Sequence, residues 1–400
     1  MTLELRVAVD VGSARHRVAV GLSDGVLIEE FDVSHDAAGL SFFFERIGRH
    51  ERERGLPVAV AMEGYNGYAR PLDRRVLGRG YRLYNVNNLK FARFKEIFPA
   101  PAKTDAIDAR RMLDLFQLKD KLPLAREVLQ EVAPVPIENE RLKALSRRRK
   151  QLVLERMRAS QRTQANLQAV CPGLLDITGQ ADNLWFLNLI TCRADLRKLK
   201  GVRLSAVLAL NGVGKGYAAR IQAWQQSAEF SEATEWIGPM IVADAKRMLE
   251  LREQIDELER VLAILCAQSA IACRLETMPG FGVVTEAQIA GEVGTLDRFE
   301  DEAGLAVYLG MAPLDNSSGK RVGSKSPRQV NERAKAAMMI VAARHMACVA
   351  QSRAYYDKKR AQGKTHNQAL RALGRHLVRV IWGMLKHNRD YQVRETSKTT

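Results

Sequence analysis

Aromatic residues, cysteines and long apolar runs are all scarce in this chain, and each shortage excludes something. Aromatic residues make up 6% of 400 positions, too few for a broad platform on which successive bases could stack. The five cysteines (Cys171, Cys192, Cys266, Cys273 and Cys348) are odd in number and form no C-x-x-C pair. They exclude a disulfide framework and read as reduced, mostly buried thiols of a cytoplasmic, nucleoid-associated protein. No apolar run approaches the roughly 20 residues of a membrane span. The longest candidate, Ala336 to Ala350, is interrupted by Arg344 and His345. The chain enters a strand almost at once, which predicts no secretory signal.

Acidic residues are outnumbered, and the net charge is +16. The excess is not spread evenly. Arg141 to Arg162 holds nine basic residues and one acid, and Ser318 to Thr400 holds nineteen basic and four acidic ones. The remainder is net acidic. Two basic blocks beside an acidic cluster predict a grip on nucleic acid next to a metal site.

At this length two or three domains are expected. Strands are predicted at 5–10, 17–22 and 26–33, the last two joined by the Asp24-Gly25 turn. A helix over 37–54 follows from the spacing of Leu40, Phe43, Phe44 and Ile47. Val58 to Met62 reads as a central, fully apolar strand. Helix 69–78, strand 81–86 and a helix from about Thr104 to Leu118 complete an α/β order. Pro123, Pro134 and Pro136 mark a linker. A long helix from Glu138 to Val170 carries Arg147, Arg148, Arg149 and Lys150, and stops at Cys171-Pro172-Gly173. Met248, Leu251, Ile255, Leu258, Leu262 and Leu265 form a heptad seam in a helix predicted from about Pro239 to Thr277. That seam can pair with a second chain or form one face of an internal bundle. The expected divisions are 1–130, 131–275 and 276–400.

Two glycine hairpins follow, Asn211-Gly212-Val213-Gly214-Lys215 and Met278-Pro279-Gly280-Phe281-Gly282. The first reads equally as a phosphate-holding hairpin with Lys215 as its cation or as a tight helical turn. The second has no nearby cation and reads as a turn.

Four acids carry the chemistry. Asp10 closes the first strand and Glu63 the central one, while Asp105 and Asp108 share one face of the following helix. Like charges at that spacing repel by a few tenths of a kcal/mol on an open helix, so a bound cation would turn a liability into a site. Paired Mg²⁺ ions, with Mn²⁺ as the substitute, need several such carboxylates to act on a phosphodiester.

The set Asp10, Glu63 and Lys-Thr-Asp105-Ala-Ile-Asp108-Ala-Arg resembles the DEDD transposases of bacterial insertion sequences, relatives of the Piv DNA invertases. The resemblance extends through Cys171-Pro-Gly-Leu, Met278-Pro-Gly-Phe-Gly, Leu309-Gly-Met-Ala-Pro313 and Ser317-Ser318-Gly319-Lys320-Arg321. It implies a RuvC-like, ribonuclease H-type amino-terminal domain, a central coiled-coil region and a mainly helical carboxy-terminal transposase domain. It also implies DNA and a non-coding bridge RNA as partners. Ser318 is the implied nucleophile, with Ser317 as the fallback. From the residues alone, the 315–319 segment is a polar turn in which Lys320, Arg321, Lys325 and Arg328 could hold phosphate. A serine hydroxyl needs a base or metal to attack, and the nearest histidine in sequence is His345. The family's glycine-asparagine pair after this motif is replaced by Ser326-Pro327-Arg328-Gln329-Val330-Asn331, which leaves the role of Asn331 open. A homo-oligomer, dimer or tetramer, is expected from the seam and from the need to handle two duplexes.

Three other readings compete. A junction endonuclease would use the same acids to activate water. An actin-like sugar kinase would share Val9-Asp10-Val11-Gly12-Ser13 but needs a second phosphate loop, which is missing. A non-catalytic RNA scaffold would survive loss of the acids.

Overall fold

A computed structural model describes residues 3–64, 67–97, 105–122, 128–312, 314–315, 324–325 and 330–392, with the side chains of Asp105, Leu314, Asp315, Ser324 and Lys325 excepted. Contacts divide the chain into two compact units, Met1–Pro134 and Val135–Thr400.

The first unit is built on one mixed sheet. Its strands are β1 (Leu5–Val11), β2 (Arg15–Leu22), β3 (Leu27–Ser34), β4 (Val58–Glu63), β5 (Arg82–Val86) and β6 (Leu129–Glu131), in the order β3-β2-β1-β4-β5-β6. β1, β2 and β3 run antiparallel, β4 joins β1 in parallel and β5 joins β4 in parallel, while β6 closes the edge antiparallel. Helices α1 (Ala37–Arg54), α2 (Arg70–Gly78), α3 (Asn88–Lys95) and α4 (Asp105–Gln117) complete the unit. Side chains alternate across a strand, and the two faces differ sharply. Leu5, Val7, Val9, Val58, Val60 and Met62 pack with Leu40, Phe43 and Ile47 of α1 and Leu72 and Val76 of α2. The opposite face presents only methyl groups in the middle, Ala8, Ala19, Ala59 and Ala61, under Ala109, Met112 and Phe116 of α4.

α3 and β6 were not expected. α3 buries only Phe91 and starts on an Asn87 cap whose side chain accepts from the Lys90 amide, while β6 is three residues long. Arg6 is 2% exposed. It donates to the Phe116 carbonyl and pairs with Glu4 and Asp120. Asp120, whose side chain is 37% exposed, thus shares with Glu4 the charge of a buried guanidinium.

The second unit is mainly helical. α5 (Ile137–Val170), α6 (Leu184–Thr191), α7 (Leu204–Leu208), α8 (Lys215–Ser227), α9 (Thr234–Cys266), α10 (Ala270–Glu276), α11 (Val283–Val293), α12 (Glu302–Tyr308), α13 (Glu332–Cys348), α14 (Ala350–Ala361) and α15 (His366–Lys386) follow in order, with a short hairpin of β7 (Leu314–Asp315) and β8 (Ser324–Lys325) between α12 and α13. α5 and α9 lie antiparallel. Their ion pairs step in opposite directions, Arg149–Glu259 at 2.5 Å, Glu155–Arg247 at 2.9 Å and Arg162–Asp244 at 2.6 Å. Met248, Leu251, Ile255, Leu262 and Leu265 of the seam are buried in this one chain. The internal-bundle reading of the seam is the one observed, and the expectation of an oligomer loses that support.

The predicted helix 239–277 needs correction at both ends. α9 begins at Thr234, so Pro239 lies inside it. It stops at Cys266, because Ser269 starts a new helix by accepting the Ala272 amide at 3.1 Å. The second glycine hairpin is a turn held by close approach. Gly280 has φ +95°, and an added Cβ would lie 2.7 Å from the His345 backbone nitrogen. All five cysteines are free. Cys171 and Cys266 are buried, Cys192 and Cys273 are half-buried and Cys348 is exposed. Among the described residues no helix is long and apolar enough to cross a membrane.

Candidate active site

Strand alternation decides where the acids point. Asp10 follows Ala8 by two and Glu63 follows Ala61 by two, so both fall on the alanine face beneath α4. The parallel register sets Val9 opposite Met62, one step before the two carboxylates. Asp10 and Glu63 thus end neighbouring strands side by side, each half-buried.

The level of α4 follows from Arg6, which reaches the carbonyl of Phe116. Four residues along β1, about 13 Å at the usual strand rise, lead from Arg6 to Asp10. Eight residues back along α4, about 12 Å at the helical rise, lead from Phe116 to Asp108. Gln117 reaches the Leu22 carbonyl beside Leu5, and Arg110 reaches Glu30 further along the sheet, so α4 runs antiparallel to β1 and Asp108 lies toward the Asp10 end. Ala109 and Met112 face the alanines, while the Asp105 side chain lies outside the described residues. Asp10 and Glu63 share one end of one face, and Asp108 lies toward that end on α4.

Asp108 already has a cation. Lys95 of α3 donates to it at 2.9 Å, with the carboxylate 14% exposed. Across β2, Arg17 stands opposite Asp10 and is drawn off by Glu30 at 3.1 Å and Asp32 at 3.3 Å. Among the described residues no three acids, histidines or cysteines lie close enough to hold a metal ion as they stand. The donors are hard carboxylate oxygens, the type that Mg²⁺ takes. In donor chemistry they suit such an ion, with Lys95 as its competitor at Asp108. Lys95 escaped sequence reasoning because α3 itself did.

The serine segment lies elsewhere in the chain. Ser317, Ser318, Lys320 and Arg321 fall between β7 and β8, outside the described residues, as does Arg328 just beyond. Of Lys325 only the backbone is described, paired with Leu314. The ends of this segment are held by a buried network. Glu292 of α11 is 0% exposed and takes both Nε and Nη2 of Arg147, at 2.7 and 2.8 Å. Asn331 donates to the same carboxylate at 2.8 Å and to the Tyr308 hydroxyl at 2.8 Å, and the Tyr308 hydroxyl donates to the Glu292 carbonyl at 2.7 Å. The Asn331 amide donates to the Tyr308 carbonyl at 2.9 Å. Its side-chain oxygen caps α13 by accepting from Arg333 and Ala334. Burial would raise the Glu292 carboxyl; hydrogen bonds from Arg147 and Asn331 outweigh it and hold the group below its ordinary value. Asn331, whose role the sequence left open, staples the residue before the segment to the helix after it. An acid within Ile289-Ala290-Gly291-Glu292-Val293 was the signal for this network, since a charge in an apolar helix needs a partner.

The basic residues divide. Arg147 is committed to Glu292 and Arg149 to Glu259. Arg148 and Lys150 are exposed on α5, and Lys215 is exposed in the first turn of α8. His345, the nearest histidine to the serines in sequence, is buried against Ser352 at 2.9 Å.

Two family models match the chain. Residues 7–172 match one described as a transposase, and residues 272–357 match the transposase family IS116/IS110/IS902. The 43.6 kDa protein of insertion element IS110 from Streptomyces coelicolor is 30% identical, over 79% of this chain and 78% of its own length. The 44.8 kDa protein of insertion element IS116 from Streptomyces clavuligerus is 28% identical, over 96% and 95%. The mini-circle putative transposase for IS117 from Streptomyces coelicolor is 23% identical, over 96% and 94%.

Proposed function

Because the chain belongs to the IS110/IS116 family of transposases, we propose that it cuts and rejoins DNA through Ser318, with Asp10, Glu63, Asp105 and Asp108 as the other half of the site. The observation that carries this reading is that Asp10 and Glu63 sit side by side at the ends of neighbouring strands, on the alanine face that α4 covers. The strand order, three antiparallel strands followed by two parallel ones, supports a ribonuclease H-like, RuvC-like domain. The functional divisions are then the RuvC-like DEDD metal-binding domain 1–130, the basic helix and coiled-coil region 131–275 and the transposase domain 276–400.

The step is a transesterification. The Ser318 oxygen bonds to the scissile phosphorus and loses its proton, one bridging P–O bond breaks, and the strand end leaves as a hydroxyl. Attack by another strand's hydroxyl on the phosphoserine reverses the exchange, with no water consumed. A divalent cation, when held by the four carboxylates, would supply positive charge at the phosphate. The exposed Arg148, Lys150 and Lys215, with Lys320, Arg321, Lys325 and Arg328, would hold the backbones of DNA and of a guide RNA.

Ser318→Ala and Asp10→Asn test the scheme with a supercoiled donor and target. Both variants should bind DNA and fail to recombine, and Ser318→Ala should also lose the covalent protein–DNA adduct. Undiminished cleavage by Ser318→Ala would replace the serine with activated water. Sequencing the RNA that co-purifies tests the guide; a random population would remove it.

A further inference from the structure

The carboxy-terminal helices line a half-open cavity that this chemistry leaves unused. It lies between α13, α14 and α15 and the residues that follow them, with a volume of about 570 Å³, within the range of small-molecule sites. His345 of α13 and Ser352 of α14 line it, bonded at 2.9 Å through Nδ1 and Oγ. His345 is 1% exposed, and its Nε2 is buried with no hydrogen-bond partner. Burial lowers its pKa below the ordinary value, so near neutral pH the ring keeps one donor and one acceptor nitrogen. A buried ring nitrogen without a partner in the chain calls for one from outside.

The remaining walls narrow the chemistry of that partner. Tyr355 and Tyr391 contribute aromatic surface, and Tyr391 stands edge-on to His345 with centroids 5.7 Å apart. Arg379 and Arg389 also line the cavity, and both are exposed. Arg379 has Glu302 only at 3.8 Å, and its side chain is 64% exposed. Asp390, the one acid in the lining, is taken by Arg274. A bare phosphate would leave the tyrosines and the neutral imidazole without a role, and an apolar ligand would leave the arginines without one. A flat heterocycle with a hydrogen-bonding edge and an attached phosphate satisfies all of them.

We propose that this cavity receives one unpaired nucleobase of the nucleic-acid partner. His345 and Ser352 meet its edge, Tyr355 and Tyr391 its surface, and Arg379 and Arg389 its flanking phosphates. A single stacking pocket agrees with a chain so short of aromatic residues. That the base belongs to a strand rests on the transposase reading; the chemistry of the pocket does not.

The test uses the full-length protein, a duplex carrying one bulged adenosine and the same duplex with an abasic bulge. The abasic change should weaken binding about tenfold, as loss of one stacked base does. Tyr391→Ala should bind both duplexes alike, and Arg379→Ala should weaken both. Equilibrium dialysis with adenosine monophosphate is the second arm. Tyr391-dependent binding of the free nucleotide without discrimination between the duplexes would keep the pocket and overturn the strand as its source. If no duplex binds at all, the transposase reading fails, and the nucleotide arm alone decides the pocket. Equal duplex affinities with no nucleotide binding overturn the proposal, as does discrimination that survives in Tyr391→Ala.

Discussion

Removing Arg147 isolates the most deeply buried charge of the second unit. Arg147→Ala leaves Glu292, 0% exposed, without its bidentate partner, and breaking a buried pair from one side costs about 3–5 kcal/mol. Arg147 is itself 39% exposed, so water screens part of the pair and the lower end, about 3 kcal/mol, is expected. For a unit of this size that is a fall in Tm of roughly 6–12 °C. The pH dependence carries a sign. In the native protein the Glu292 carboxyl is held low, so its contribution is full above the unfolded carboxylate pKa and is lost as pH falls through the folded one. Without Arg147, burial dominates and the folded pKa rises above the unfolded value. The penalty is then present at neutral pH and relieved by acid, so the gap between native and variant narrows from pH 7 toward pH 4.5. Thermal unfolding of the full-length protein across that range is the assay. A second change, Glu292→Gln, should restore most of the loss at pH 7. A deficit under 1 kcal/mol, or one that does not change with pH, would refute the reasoning.

Three further outcomes are expected. Lys95→Gln frees Asp108 from its 2.9 Å partner and should lower the Mg²⁺ concentration for half-maximal thermal stabilisation severalfold; an unchanged or higher midpoint counts against a cation at these carboxylates. Gly291→Ala sets a Cβ 2.4 Å from the Lys143 backbone nitrogen, where α11 crosses α5, and should cost about 1–3 kcal/mol of overpacking, read by denaturant unfolding. DNA binding should weaken steeply with salt, and Arg148→Ala with Lys150→Ala should reduce the slope of log K against log salt by about two, where Arg149→Ala, paired to Glu259, should reduce it less.

The framework of the first unit was legible because its signals are local. Val58 to Met62 is wholly apolar, α1 repeats its apolar residues at helical spacing, and α5 ends at Cys171-Pro172-Gly173 as read. Asp10 and Glu63 could be placed at strand ends from the same patterns, and their common face follows from strand alternation. α3 and β6 carry too few apolar positions to declare themselves, so Lys95 stayed hidden with α3. The seam on α9 gave its period but not its partner, which lies about a hundred residues earlier on α5. Glu292, Arg147 and Asn331 meet across separations of 145 and 39 positions, and no local pattern encodes that. The Asp120 side chain shows the same limit, since its partner Arg6 lies 114 positions away.

The alanine face under α4 sets more than a core. Ala8, Ala19, Ala59 and Ala61 are each 0% exposed, and in the middle of the sheet they present only methyl groups to α4. They act as shims: their thickness sets how far α4 stands from β1 and β4. In the proposed metal site a thicker shim, such as Ala61→Val, should therefore shift the preference between Mg²⁺ and the larger Mn²⁺ with no change to any carboxylate. Ion selectivity would then be tuned by a layer that no ion touches.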